Sequence, residues 1–133
     1  MPSPGLESIK RKYPSLSHRI ERLAGYIENQ IESGKTDIVP ALAAASLRCT
    51  EAEVLGLLML FEKERMVVPA YKIYCKRNRT LLKTVCNKEN IPTDIYCKFC
   101  DEEHADPDEL EVELVFQVRT ETWELLHNNA PAL

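Results

Sequence analysis

Cys97-x-x-Cys100 places two thiols one tight turn apart. Two thiolates at that spacing can share one metal ion, and a structural zinc site takes four ligands in a tetrahedron, with Zn–S of about 2.3 Å. His104, shortly after Cys100, offers a third donor of a suitable kind, because neutral imidazole partners thiolates on zinc. The remaining ligand must come from upstream, where Cys75 and Cys86 compete.

A hairpin separates these two. Val67 to Cys75 and Thr80 to Cys86 are rich in β-prone residues, and Arg77-Asn78-Arg79 lies between them as a turn. With the turn centred on Asn78-Arg79, Cys75 pairs with Leu82, and Cys86 lies four residues further along the strand. At roughly 3.3 Å per residue the thiols are then about 13 Å apart, against about 4 Å for two thiolates on one zinc. Cys75 is preferred, because Tyr74-Cys75-Lys76 leads into its turn much as Tyr96-Cys97-Lys98 does. A looser hairpin readmits Cys86 in place of His104 and gives four cysteines. The competing reading makes Cys97 and Cys100 small buried residues. A redox role lacks the βαβ pattern that would put a thiol at a helix N-terminus.

The elements around these donors follow from periodicity. Ile95 to Cys100 is a strand entering the Cys-x-x-Cys turn, and 101–109 is a polar loop with turn chemistry at Asp106-Pro107-Asp108. From Leu110 to Val118 the residues alternate, with Leu110, Val112, Leu114, Phe116 and Val118 on one face. Upstream, a helix is predicted over 17–33, with Ile20, Leu23, Ala24, Ile27 and Ile31 on one side. A shorter helix is predicted over 38–47, with Pro40 in its first turn. A third follows the capping box Thr50-Glu51-Ala52-Glu53. Residues 1–14 hold three of the eight prolines and read as a flexible basic arm carrying Lys10, Arg11 and Lys12. Residues 120–127, with Trp123, read as a short helix or an extension, and 128–133 as a tail.

Three helices and a hairpin resemble a winged helix-turn-helix. The stretch from Val39 to Val54 is similar to that family's second helix, turn and third helix, and Leu57 to Val67 to its third helix running into the wing. The segment from Tyr71 to Val118 resembles a zinc ribbon, with one Cys-x-x-Cys rather than two. The combination is similar to the organisation of the archaeal and eukaryotic initiation factor E family, which implies a module that docks onto a larger machine. The expected fold is therefore α+β: a winged-helix domain over 15–86 and a zinc-ribbon-like acidic β subdomain over 87–127.

The formal net charge of −4 conceals a division along the chain. Residues 1–83 carry 14 Lys/Arg and 9 Asp/Glu, while 84–133 carry 3 and 12. Lys72, Lys76, Arg77, Arg79 and Lys83 make the hairpin basic and could neutralise phosphates. The third helix opens instead with Glu51 and Glu53, which repel DNA, so base reading by that helix is not expected. Val54, Leu57, Leu58 and Phe61 suffice as its core face; Leu55, Met59 and Leu60 are left over for a protein partner or a second copy, or else for the ribbon half of the same chain to pack on.

Other classes recede. No apolar run approaches the roughly 18–20 residues that span a membrane, no signal peptide is visible, and five cysteines without one suit the cytoplasm. No phosphate-binding loop, paired-His helix motif or recognisable Ser/His/Asp spacing points to an enzyme or a small-molecule substrate. The leading expectation is a non-catalytic, zinc-stabilised interaction or assembly module. The alternative is a regulator-like protein gripping nucleic-acid phosphates through its wing and arm.

Overall fold

The computed structural model describes residues 4–92, 94–104 and 107–123. In chain order these form α1 (Pro4–Lys12), a 3-10 turn (Pro14–Leu16), α2 (Ser17–Glu32), β1 (Asp37–Ile38), α3 (Pro40–Leu47) and α4 (Glu51–Lys63). There follow β2 (Val67–Cys75), β3 (Leu81–Val85), β4 (Ile95–Cys97), β5 (Glu102–His104) and β6 (Leu110–Val118). Residues 120–123 are helical. The fold is mixed α+β, with a four-stranded sheet ordered β1-β6-β2-β3 and a separate β4-β5 hairpin. No helix among the described residues is long and apolar enough to cross a membrane.

The chain divides into two compact units, Met1–Val68 with Phe116–Leu133, and Pro69–Val115. This differs from the division expected at residue 86, because a chain-order boundary cannot anticipate a late segment returning to an early one.

In the first unit, α2 buries Ile20, Leu23, Ala24 and Ile27 of the stripe its periodicity prescribes, and Ile31, in the last turn, is half-buried. Arg48 ends α3 in the left-handed conformation (φ 57°), and Arg22 donates to the Leu47 carbonyl at 2.7 Å, satisfying a free C-terminal acceptor. The Thr50 hydroxyl then accepts the Glu53 N–H at 3.1 Å, so three residues turn the chain from α3 into α4. The buried face of α4 is Val54, Leu57, Leu58 and Phe61.

Where a flexible arm was expected, α1 buries Leu6 and Ile9. Their three-residue spacing makes a short apolar stripe, and Pro4 sits in the first turn, where its missing N–H costs nothing. Its lysines are paired within the unit: Lys10 lies 2.8 Å from Glu21, and Lys12 lies 3.2 Å from Glu64. Trp123 completes this core. Its ring stacks on Phe61 at 6.3 Å and its indole N–H donates to the Met66 carbonyl at 3.1 Å.

In the second unit, β2 and β3 form the predicted hairpin, with Tyr71 opposite Val85 and Tyr74 opposite Leu81. The register is irregular between Ile73 and Tyr74, so Cys75 donates its N–H to Thr80 instead of facing Leu82. The alternating face of β6 is not uniformly buried: Val112 is exposed, whereas Val115, on the opposite face, is fully buried. One-sided alternation describes a strand covered on one face only, and β6 is not such a strand along its whole length.

Candidate metal centre

Four donors converge in the second unit. Cys75 ends β2, Cys97 ends β4, Cys100 lies in the turn after β4, and His104 ends β5. Their ligating atoms all lie within 4.8 Å of one another. Cys75 Sγ is 3.6 Å from Cys100 Sγ and 3.3 Å from His104 Nε2. Cys75, Cys97 and His104 are fully buried and Cys100 is half-buried. These are the four residues preferred on sequence grounds. Cys86 is exposed and outside the group. Val85 pairs with Tyr71, four residues up-strand of Cys75, so the register carries Cys86 away from the turn.

The donor set has the chemistry of a metal site. Three thiols and one imidazole suit a borderline-soft cation such as zinc. The imidazole is oriented for coordination: Nε2 faces the thiols, while Nδ1 lies 2.5 Å from the Glu109 carboxylate. A carboxylate on the far nitrogen fixes the tautomer and raises ligand basicity. Glu102, His104 and Glu109 also come within 4.8 Å of one another. That cluster already holds a cation, for the Arg77 guanidinium lies 2.8 Å from Glu102 and 4.0 Å from Glu109.

Local electrostatics prepare the thiols unequally. Burial opposes ionisation of Cys97, but the N–H groups of Cys100 and Phe99, the Asn78 amide and His104 outweigh it and hold the thiol at about 6. Cys75 follows the same pattern: burial opposes, and the N–H groups of Asn78 and Arg77 prevail, so its pKa is lowered. Burial, with Cys75 and Cys97 alongside, pushes Cys100 up to about 11. Glu109 is the main cause that raises His104 to about 9; burial opposes it, and the neighbouring thiols add to it.

The basic hairpin looks different in three dimensions. Arg77 is held by Glu102 and Glu109, and Arg79 lies 3.3 Å from Glu111. Lys76 and Lys83 are exposed and Lys72 is half-buried. The residues left over on α4 also separate. Met59 is 56% exposed, while Leu55 and Leu60 are half-buried. Leu60 joins Tyr13, Leu16, Ala52, Gly56 and Leu57 in lining a groove of ≈ 300 Å³ in the first unit.

Sequence reasoning missed a second apolar surface. Phe99 is 74% exposed, and with Leu81, Leu82, Tyr96, Thr80 and Lys98 it lines a cleft of ≈ 250 Å³ in the second unit. The signal available was an aromatic residue inside a Cys-x-x-Cys turn, where the two cysteines on either side are candidate metal ligands. Asn78 was also missed as part of the centre; its amide nitrogen is 3.5 Å from Cys100 Sγ and 3.7 Å from Cys97 Sγ.

No protein-family model matches the chain, and no curated protein or solved structure matches it.

Proposed function

We propose that the chain is a non-catalytic interaction module in which a winged-helix-like unit is joined to a zinc-stabilised, ribbon-like unit. The observation that carries this reading is the closed donor set of Cys75, Cys97, Cys100 and His104. Four protein ligands on a tetrahedral ion leave no position for water or substrate, so the metal supplies folding energy instead of reactivity. The winged-helix part of the reading is supported by the α3-turn-α4 pair with its Thr50 cap in the first unit and, next in the chain, by the β2-β3 hairpin, which falls mostly in the second unit and carries Cys75. Five free cysteines accord with the reducing cytoplasm.

The interaction role rests on the apolar groove beside α4 and the exposed Met59. Arg19 and Glu53 flank the groove, which suits an amphipathic segment of a partner protein with its own charges at the rim. Phosphate binding is the weaker reading, since Arg77 and Arg79 are engaged by carboxylates of their own unit.

Native mass spectrometry tests both parts. One zinc per chain is expected, together with an assembly that is lost when Met59 or Leu60 is replaced by Glu while the fold is kept. A folded, metal-free chain overturns the zinc centre. Assembly indifferent to both charged variants overturns the interaction face.

A further inference from the structure

The two turns that carry the centre are built alike. Tyr74-Cys75-Lys76 and Tyr96-Cys97-Lys98 open with the same three residues, and the next three differ in type, Arg77-Asn78-Arg79 against Phe99-Cys100-Asp101. In each, a buried cysteine ends a strand, and the residue four positions later takes a left-handed backbone: φ is 63° at Arg79 and 52° at Asp101. In each, the two N–H groups at the second and third positions after the cysteine point back to its sulfur. Arg77 and Asn78 serve Cys75 in this way, and Phe99 and Cys100 serve Cys97. A Cys-x-x-Cys turn thus occurs twice in backbone and once in side chain. The third position is Cys100 in one copy and Asn78 in the other.

Asn78 nonetheless reaches the centre, with its amide nitrogen 3.5 Å from Cys100 Sγ and 3.7 Å from Cys97 Sγ. We propose, resting on the zinc centre inferred above, that Asn78 stands at a fourth ligand position and determines the ligand set. An amide donor there cannot bind the cation, so His104, brought in by β5, supplies the fourth bond. The ion then has three thiolates and one neutral ligand, and the complex carries one negative charge where four thiolates would give two. The Asn78 N–H groups, bonded to Cys97 and Cys100, spread the remaining thiolate charge and lower the basicity of those sulfurs. The Asn78 oxygen is engaged within the turn, where it accepts the Thr80 N–H at 3.0 Å. The Arg79 N–H to Cys75 carbonyl and Cys75 N–H to Thr80 carbonyl bonds are backbone features that a Cys at this position leaves in place. The choice between sulfur and nitrogen at the fourth position lies in this one side chain.

Cobalt substitution reads the ligand set directly, since the sulfur-to-cobalt charge-transfer absorption grows with each thiolate and the ligand-field bands move. The full-length chain is compared with His104→Ala, Asn78→Cys and the double variant. Wild type is expected to show three thiolates and one nitrogen, and His104→Ala to lose more than about tenfold in cobalt affinity. The double variant should recover affinity to within about tenfold of wild type, with a four-thiolate spectrum. Asn78→Cys alone should show the four-thiolate spectrum and release His104 from the metal, seen as loss of cobalt-shifted imidazole resonances. If wild type binds no tetrahedral cobalt, the zinc centre itself fails. If wild type binds but Asn78→Cys keeps the three-thiolate spectrum and the double variant does no better than His104→Ala, the role of Asn78 is overturned.

Discussion

At the scale of residues, the centre is a competition between protons and metal. Without metal, Glu109 keeps His104 protonated up to about 9, and burial keeps Cys100 protonated up to about 11. Cys97, at about 6, is already mostly thiolate at neutral pH. A metal ligand must be neutral imidazole or thiolate, so binding at pH 7 displaces the Nε2 proton of His104 and the Cys100 proton, together with whatever proton Cys75 still carries. The sign is fixed: zinc affinity rises as pH increases from 6 toward 9. Calorimetry in two buffers of different ionisation enthalpy counts the protons, and a flat pH profile with no release contradicts the assignment. Glu109→Ala removes the partner of Nδ1 and is expected to weaken zinc binding by about 10–100-fold, as read by competition with a coloured chelator. The donors were legible in the sequence by type and spacing. Glu109 was not, because nothing local marks one carboxylate among many as the one facing an imidazole.

At the scale of elements, the helices obey rules that substitutions can check. Gly25 lies within α2 and Gly56 within α4, and a Cβ at either meets nothing within 4 Å. Alanine relieves the entropic cost of glycine in a helix without a clash, so Gly25→Ala and Gly56→Ala should each stabilise by about 0.5–1 kcal/mol. Thr50→Ala removes the oxygen that accepts the Glu53 N–H and should cost about 1 kcal/mol, with Thr50→Ser largely sparing it. Urea titrations with linear extrapolation measure all four. Of the helices after residue 16, α2 was legible by its long apolar stripe, α4 by its Thr50 cap and α3 by Pro40 in its first turn. In contrast, α1 was not, since two buried residues, Leu6 and Ile9, among prolines and lysines carry too little periodic signal.

At the scale of the whole molecule, segments distant in sequence share one unit. The span 15–86 omits α1, Phe116, Val118 and Trp123, although Leu6, Ile9 and these three residues are all buried. A fragment of 15–86 is therefore expected to lack a cooperative urea transition, whereas the full chain shows one. Trp123→Ala in the full chain should cost about 3–5 kcal/mol, because it empties a fully buried site and removes the stack on Phe61. A fragment that unfolds as sharply as the whole chain would contradict this account. Charge follows the same logic. The basic and acidic stretches divide at residue 83 in sequence, yet Pro69–Val115 contains 7 Lys/Arg and 10 Asp/Glu together, and Arg77 and Arg79 meet their carboxylates there. The division of charge along the chain is largely neutralised inside one unit.

The sequence by itself determined which residue types can bind metal, where the strong helices and strands lie, and that Cys75 suits the centre better than Cys86. These are local matters, governed by side-chain chemistry and by periods of a few residues. The tertiary structure alone decided that Asn78 completes a second turn of the same build, that Glu109 backs His104, that α1 is packed and that the hairpin arginines are engaged. Each depends on strand register and turn conformation, which bring together residues tens of positions apart, and a shift of one residue would change every partner.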